Sequence, residues 1–325
     1  MKKVGICTLY FADNFGAILQ AFSLQNILQN LGHEVEFIKL KDFKGDINNY
    51  NSENFKKSQT YLNICSDIYD KDIHNYDTII VGSDEMWNIN NNSFEHLDEY
   101  FGYNFNCQNI ISYAPTANGV TSETLRNIYN NRIDFSKFSN LSVRDKATQE
   151  LVKEISDVDA KLVLDPTLLM DSFDPFVKYP DPNLRDYILI YGYNFSEDEK
   201  SKIIQFAKEN NKEIYSLALG ANPGWCKSLN ADIYEFLGYF KNADYTITNT
   251  FHGLLFSLIL EKEFAVFNNS SKLNDMIEKF NLHSRNAKNF DNLSTIFNNK
   301  VDYENINKLK LEQRNQSLEF LKEAI

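Results

Sequence analysis

The sequence predicts an α/β protein of two Rossmann-like domains facing a central cleft, and three observations carry that reading. First, a chain of 325 residues exceeds the size of one hydrophobic core, so two domains of about 150 residues each are expected. Second, strand-length apolar runs alternate with helical periodicity from the N-terminus onward, as in a parallel sheet covered by helices. Third, a stretch rich in Asp and Pro at 171–184 separates two such sets, as an interdomain linker would.

Taken in order, residues 4–10 are an apolar run suited to a buried strand, and 11–15 supply polar punctuation, with Asn14 just ahead of Gly16. The next helix carries Ile18, Leu19, Phe22, Leu24, Ile27, Leu28 and Leu31, mainly at three- and four-residue spacing, and Gly32 ends it. Residues 34–40 alternate as a second strand and complete a βαβ unit. Further short strands are expected at 78–81, 109–113, 141–143 and 160–164. Each runs into small, polar or charged residues: Gly82-Ser83-Asp84, Ala114-Pro115-Thr116, Arg144-Asp145 and Asp165-Pro166. Open α/β sheets bind ligands beyond the carboxyl ends of their strands, so these four positions are where function is sought. The asparagine-rich patches near Asn48, Asn90 and Asn130 read as surface loops.

Beyond the linker the order repeats. Strands are expected at 187–191, 213–218, 245–248 and 264–267, and helices at 197–211, 233–242, 253–261 and 273–280. A long amphipathic helix at 303–324 closes the sequence and is expected to pack back on the first domain. The expected division is therefore 1–172, 184–302 and the helix 303–325.

Composition narrows the function. No apolar run approaches the roughly 18 residues of a membrane helix, and the N-terminal stretch, broken by Asp13, reads as a first strand instead of a signal peptide. Cys7, Cys65, Cys107 and Cys226 are far apart and form no C-x-x-C, which fits a reduced cytoplasmic setting without structural zinc. The net charge of -12 argues against a general nucleic-acid binder, because phosphate neutralisation needs clustered Lys and Arg. A small anion can still be held by one or two local cations and a helix N-terminus.

Several strand ends qualify. In Thr250-Phe251-His252-Gly253 the imidazole lies near a helix N-terminus, where it can transfer a proton or, when charged, hold a carboxylate or phosphate. The glycine behind it is expected to let a ligand approach the backbone; the plain alternative is a loop histidine capping the helix. Arg144 follows a strand directly, where its fork of donors can clamp an acid, or else pair with Asp145 at the surface. Gly82-Ser83-Asp84-Glu85-Met86-Trp87-Asn88 collects a hydroxyl, two acids and an indole, the company that sugar hydroxyls keep. Asp84 has a competing reading as a helix N-cap. Asn14-Phe15-Gly16 precedes a helix as a phosphate-binding turn does, but lacks the spacing of a dinucleotide fingerprint. Lys272 and Arg285 flank the 273–280 helix, and Arg285 reads as a solvated helix end.

In this order, the segments resemble the polysaccharide pyruvyl transferase family over most of the chain. The likeness rests on Asn14-Phe15-Gly16-Ala17-Ile18-Leu19-Gln20-Ala21, Gly32-His33-Glu34-Val35, Val81-Gly82-Ser83-Asp84-Glu85-Met86-Trp87-Asn88 and Ser112-Tyr113-Ala114. It continues through Ser142-Val143-Arg144-Asp145-Lys146, Val163-Leu164-Asp165-Pro166-Thr167-Leu168-Leu169 and Thr248-Asn249-Thr250-Phe251-His252-Gly253. Two departures stand out: the loop 112–119 lacks a Phe-Gly ending, and Thr250 stands where a serine is usual.

The resemblance implies a fold similar to the GT-B glycosyltransferases, phosphoenolpyruvate as co-substrate with no cofactor or metal, and a saccharide acceptor, nucleotide-linked or lipid-linked, in surface polysaccharide biosynthesis. The first domain is then the acceptor side, with Asn14, Gly16, Asp84 and Trp87. The second is the donor side, with Thr250, His252, Gly253 and Lys272. Arg144 and His252 are expected to contact the donor, and His252 and Asp84 to move protons. The competing expectations are a nucleotide-sugar glycosyltransferase on the same frame and a non-catalytic carbohydrate-binding protein, which would bind saccharide without releasing phosphate. A cytoplasmic protein with at most a peripheral membrane contact completes the expectation.

Overall fold

A computed structural model describes residues 1–11, 14–40, 53–70, 74–92, 95–217 and 224–325. Ala218, at the end of one expected strand, and the patch near Asn48 lie outside the described residues. The chain divides into two units, Met1–Met170 with Leu311–Ile325, and Asp171–Lys310. The stretch 171–184 therefore belongs to the second unit, and the final helix is shared.

The first unit runs β1 (Lys3–Cys7), α1 (Phe15–Asn30), β2 (Glu34–Lys39), α2 (Glu53–Gln59), β3 (Ile64–Ile68), β4 (Thr78–Val81) and β5 (Ile110–Ser112). It continues through α3 (Ser122–Ile128), β6 (Asn140–Val143), α4 (Lys146–Ser156) and β7 (Lys161–Leu162). The sheet order is β3-β2-β1-β4-β5-β6-β7, and the pairings are parallel. The expected βαβ start is present, and α1 is buried on nearly every side. Its polar residues survive burial because they bond to backbone: Ser23 Oγ donates to the Leu19 carbonyl at 2.7 Å, and Gln20 Nε2 to the Ala17 carbonyl at 2.9 Å.

The second unit runs β8 (Tyr187–Tyr191), α5 (Glu197–Glu209), β9 (Glu213–Ser216), β10 (Lys227–Ser228), α6 (Ile233–Asn242), β11 (Tyr245–Thr248), α7 (Phe251–Ile259) and β12 (Glu263–Val266). After it come α8 (Ser271–Lys279), α9 (Ser294–Phe297) and the start of α10 (Tyr303–Ala324). Its parallel sheet has the order β10-β9-β8-β11-β12. Capping boxes start α5 at Ser196/Glu199 and α6 at Asp232/Glu235. Arg285 corrects its reading as a solvated helix end. It is buried, pairs with Glu263 at 3.3 Å and donates to the Asn299 carbonyl. Burial lowers its pKa although Glu263 opposes the shift.

The last part of α10 belongs to the first unit. There Ser317 Oγ accepts the Leu164 N–H at 2.9 Å, and Arg314 Nε donates to the Leu169 carbonyl at 2.7 Å. Among the described residues no helix is long and apolar enough to cross a membrane.

Candidate active-site edges in the two units

In each sheet the strand order reverses direction at one place, beside β1 in the first unit and beside β8 in the second. Such switch points open a crevice beyond the carboxyl ends of the strands. The sequence candidates fall at these two edges.

In the first unit the turn after β4 is fastened on both sides. Thr8 Oγ1, after β1, donates to the Ser83 carbonyl at 2.9 Å, and the Thr116 N–H, after β5, donates to the Asp84 carbonyl at 2.8 Å. Gly82 is required at its place, because φ is +114° and an added Cβ would lie 2.3 Å from the Tyr113 carbonyl oxygen. Asp84 itself has φ +72°, a backbone region in which aspartate is tolerated better than most residues. The residues after it run as turns, so Asp84 caps no helix.

Arg144 stands behind this turn. It is not a surface arginine, its side chain being 3% exposed, and its guanidinium bonds Asp165 Oδ2 at 2.8 Å and Asp84 Oδ1 at 3.5 Å. The other oxygen of Asp165 accepts from the Thr167 N–H at 3.0 Å and Thr167 Oγ1 at 2.7 Å. Burial works against the Arg144 charge, but Asp165, Asp84 and Asp145 together outweigh it and raise the pKa above its ordinary value. The arrangement is a locked carboxylate, a fork, and a second carboxylate held at longer range.

Asn14 and Gly16 lie at the start of α1 on the same edge. The Asn14 side chain accepts from the Gly16 N–H at 2.8 Å and the Ala17 N–H at 3.3 Å, so the turn is closed by its own cap. Trp87 corrects the expectation of an aromatic face for a sugar. Its indole is fully buried against Phe101, Phe135 and Phe138, and Nε1 donates to the Tyr100 carbonyl at 2.7 Å.

In the second unit a polar latch joins the ends of β11 and β8. Thr248 Oγ1 donates to the Tyr191 carbonyl at 2.6 Å and accepts from the Thr250 N–H at 3.0 Å. Asn249 holds the Tyr193 backbone through both ends of its amide, Oδ1 at 3.0 Å and Nδ2 at 2.6 Å. Thr250 then caps α7, its Oγ1 accepting the Gly253 N–H at 3.1 Å. This places His252 in the first turn of α7, 8% exposed and edge-on to Phe251 at 5.4 Å. The helix end adds positive potential beside the imidazole. Lys272, half-buried, lies in the first turn of α8, after the neighbouring strand β12.

Gly253 serves a different purpose from the one its position implied. A Cβ there would lie 2.0 Å from Thr248 Oγ1 and 2.7 Å from Thr250 Oγ1, so the space is filled by the latch itself and not left open for a ligand. Gly253→Ala is expected to lower stability by about 1–3 kcal/mol, read as a shift in urea midpoint. In a Thr248→Ala background the same change should cost less, since the nearest obstruction is gone, while Thr250 Oγ1 at 2.7 Å and the residue-248 Cβ at 2.8 Å remain. Equal costs in both backgrounds would show that the Thr248 hydroxyl is not what demands glycine.

The structure thus brings together Asp84 and Arg144 in the first unit, and Thr250, His252 and Gly253 in the second. It adds Asp165, Thr248 and Asn249, to which the sequence reading assigns no role beyond the strand end at Asp165 and the stretches that carry the family resemblance. Their signal was present in the Asp-Pro turn and in the Thr-x-Thr spacing, each able to bond its own backbone.

Comparison with known proteins bears on both edges. A family model described as polysaccharide pyruvyl transferase matches residues 14–271. No curated protein sequence matches the chain. Among solved structures, UDP-GlcNAc 2-epimerase from Methanocaldococcus jannaschii, in complex with UDP-GlcNAc and UDP, is 13% identical. It has a TM-score of 0.54, with 96% of this chain and 93% of that one covered. The Neisseria meningitidis UDP-GlcNAc 2-epimerase bound to UDP-GlcNAc is 10% identical over 100% and 99% of the two chains, with a TM-score of 0.56. The S. aureus MnaA–UDP structure gives 11% identity, coverage of 100% and 91%, and a TM-score of 0.56. At these identities the likeness is one of fold, two Rossmann-like units of the GT-B type.

Proposed function

The chain belongs to the polysaccharide pyruvyl transferase family, and from that premise we propose that it transfers the pyruvyl group of phosphoenolpyruvate to two hydroxyls of a saccharide as a ketal. The observation that carries this reading is His252 in the first turn of α7, beside the switch point of the second sheet. Enol phosphate chemistry needs an acid next to a place for an anion, and an imidazole at a helix N-terminus supplies both.

In this scheme a proton from His252 goes to the methylene carbon, which becomes the methyl group. One sugar hydroxyl attacks the resulting cationic carbon, phosphate leaves with its bonding electron pair, and the second hydroxyl closes the ketal. Of the two hydroxyl protons, one restores the acid and the other ends on phosphate, so the sum is donor plus diol to ketal plus phosphate. Arg144 holds Asp165 at 2.8 Å but Asp84 at only 3.5 Å. The longer contact is the one a donor carboxylate replaces, since a guanidinium favours a close bidentate partner. Asp84, released from the fork, accepts the proton of the first attacking hydroxyl and passes it to the departing phosphate, which returns the carboxylate to its starting state, while the second hydroxyl's proton restores His252. Thr250, Gly253 and Lys272 serve the donor through the helix termini they belong to, and Asn14 and Gly16 shape the acceptor edge.

The test is phosphate release from phosphoenolpyruvate with a panel of nucleotide-linked and lipid-linked sugars, followed by mass measurement of the product. Phosphate release with a product heavier by one pyruvyl ketal is expected; a product heavier by a glycosyl unit would sink the reading. A nucleotide-sugar reaction is the second reading, favoured because solved structures of the same fold hold UDP or UDP-GlcNAc. A ligand at 100 times its Kd stabilises by about 2.7 kcal/mol. A thermal shift with phosphoenolpyruvate but not with free UDP supports transfer of pyruvate, and the reverse pattern supports the alternative.

A further inference from the structure

The second unit has another concavity, at the opposite end of its sheet from His252. It lies between the C-terminal half of α5 and the starts of β9 and β10, and its volume is about 750 Å³. That is within the usual range for small-molecule sites. One wall is apolar, formed by Ile204, Ala207 and Ile214. Trp225 also lines it, half-buried and anchored edge-on to Phe195 at 6.2 Å.

The polar lining decides what fits. Lys212 is compensated by Asp186 and Asp244, each at 2.9 Å, and Lys227 by Glu213. The groove is therefore close to neutral and gives a small anion little advantage. An apolar ligand is disfavoured too, because Lys208, Asn211 and the Lys227–Glu213 pair all border the space. Hydroxyl groups, which both donate and accept, match this mixture of ammonium, amide and carboxylate. The C–H face of a pyranose matches an indole beside aliphatic side chains.

We propose that this groove is a second saccharide-binding site, which holds a sugar unit of an extended glycan away from the edge that carries His252. The assignment goes beyond the transfer reading and does not depend on it. Its test is direct binding without donor or turnover, so each can fail alone. The chain has two tryptophans, and Trp87 is fully buried, so a ligand-induced change in indole emission reports Trp225. The 325-residue chain is titrated with neutral oligosaccharides built on glucose, galactose, mannose and N-acetylglucosamine, with oligogalacturonate, and with polyethylene glycol of equal mass. A saturable change with at least one neutral oligosaccharide and none with polyethylene glycol is expected.

Two variants localise the binding by retardation in gels containing the matching polysaccharide. Trp225→Ala should lose retardation. Asn211 has φ +56°, so it is replaced by glycine to keep the backbone; Asn211→Gly should weaken binding about fivefold, the loss of one hydrogen bond. A response to oligogalacturonate alone, a response shared with polyethylene glycol, no saturable response, or unchanged retardation of folded Asn211→Gly would each overturn the assignment.

Discussion

His252→Ala should lower kcat for phosphate release by about 10²–10⁴-fold, the usual worth of a positioned general acid, while the protein stays folded. The second half of that statement follows from how α7 is held. Thr250 supplies the cap, and Leu254, Leu255, Phe256 and Leu258 bury the helix; none of these contacts needs the imidazole. A melting curve close to that of the parent, with turnover gone, is the expected pair of measurements. Near-normal phosphate release in the variant would remove His252 from the proposed chemistry.

Arg144→Met carries the largest expected cost in stability. It leaves Asp165, whose side chain is 0% exposed, and the largely buried Asp84 without their cation. Removing one partner of a buried ion pair typically costs about 3–5 kcal/mol. The measurement is the urea midpoint at unchanged slope. Asp165→Asn is the informative companion, because an amide oxygen can still accept from the Thr167 N–H and hydroxyl while the charge is lost. If the fork is what couples these groups, the double variant should be less destabilised than the two single costs added. An unchanged midpoint for Arg144→Met would show that the cluster does not hold the edge together. Loss of activity at Arg144 identifies a donor contact only in a variant shown to be folded.

Much of the scaffold is legible in residue order. The βαβ start, the strands that meet at each sheet centre and the helices with capping boxes all announce themselves through apolar runs, periodicity and terminal signals. The elements that escape are those for which such signals are weak. β3 is an edge strand with exposed Ser66 and Asp67, and β10 has two exposed residues, so neither alternates. α4 buries Thr148, Leu151 and Val152, too few apolar positions to stand out in a charged segment.

At the candidate site, residue type and place in the chain were legible, but depth was not. Trp87, Arg144 and Gly253 each sit where strand ends put them. Yet burial closes the indole, two aspartates occupy the guanidinium, and a neighbouring hydroxyl fills the space beside the glycine. The first two outcomes depend on segments distant in sequence, the turn that holds Tyr100 and the Asp165 turn after β7, and a linear pattern does not state which segment lies next to which; the third is local, Thr248 ending the strand that leads into Gly253.

Because α10 starts in one unit and ends in the other, the backbone passes between them twice, near Met170 and again near Lys310. A single proteolytic nick in 171–184 would therefore leave residues 1–170 held to the rest of the protein by the non-covalent packing of the end of α10, which stays covalently joined to the second unit. A fragment cut off at Met170 would, by contrast, expose the Leu164 N–H and Leu169 carbonyl that Ser317 and Arg314 now satisfy. Dissection of the enzyme into independent halves calls for a circular permutant or a co-expressed terminal peptide, and not for simple truncation.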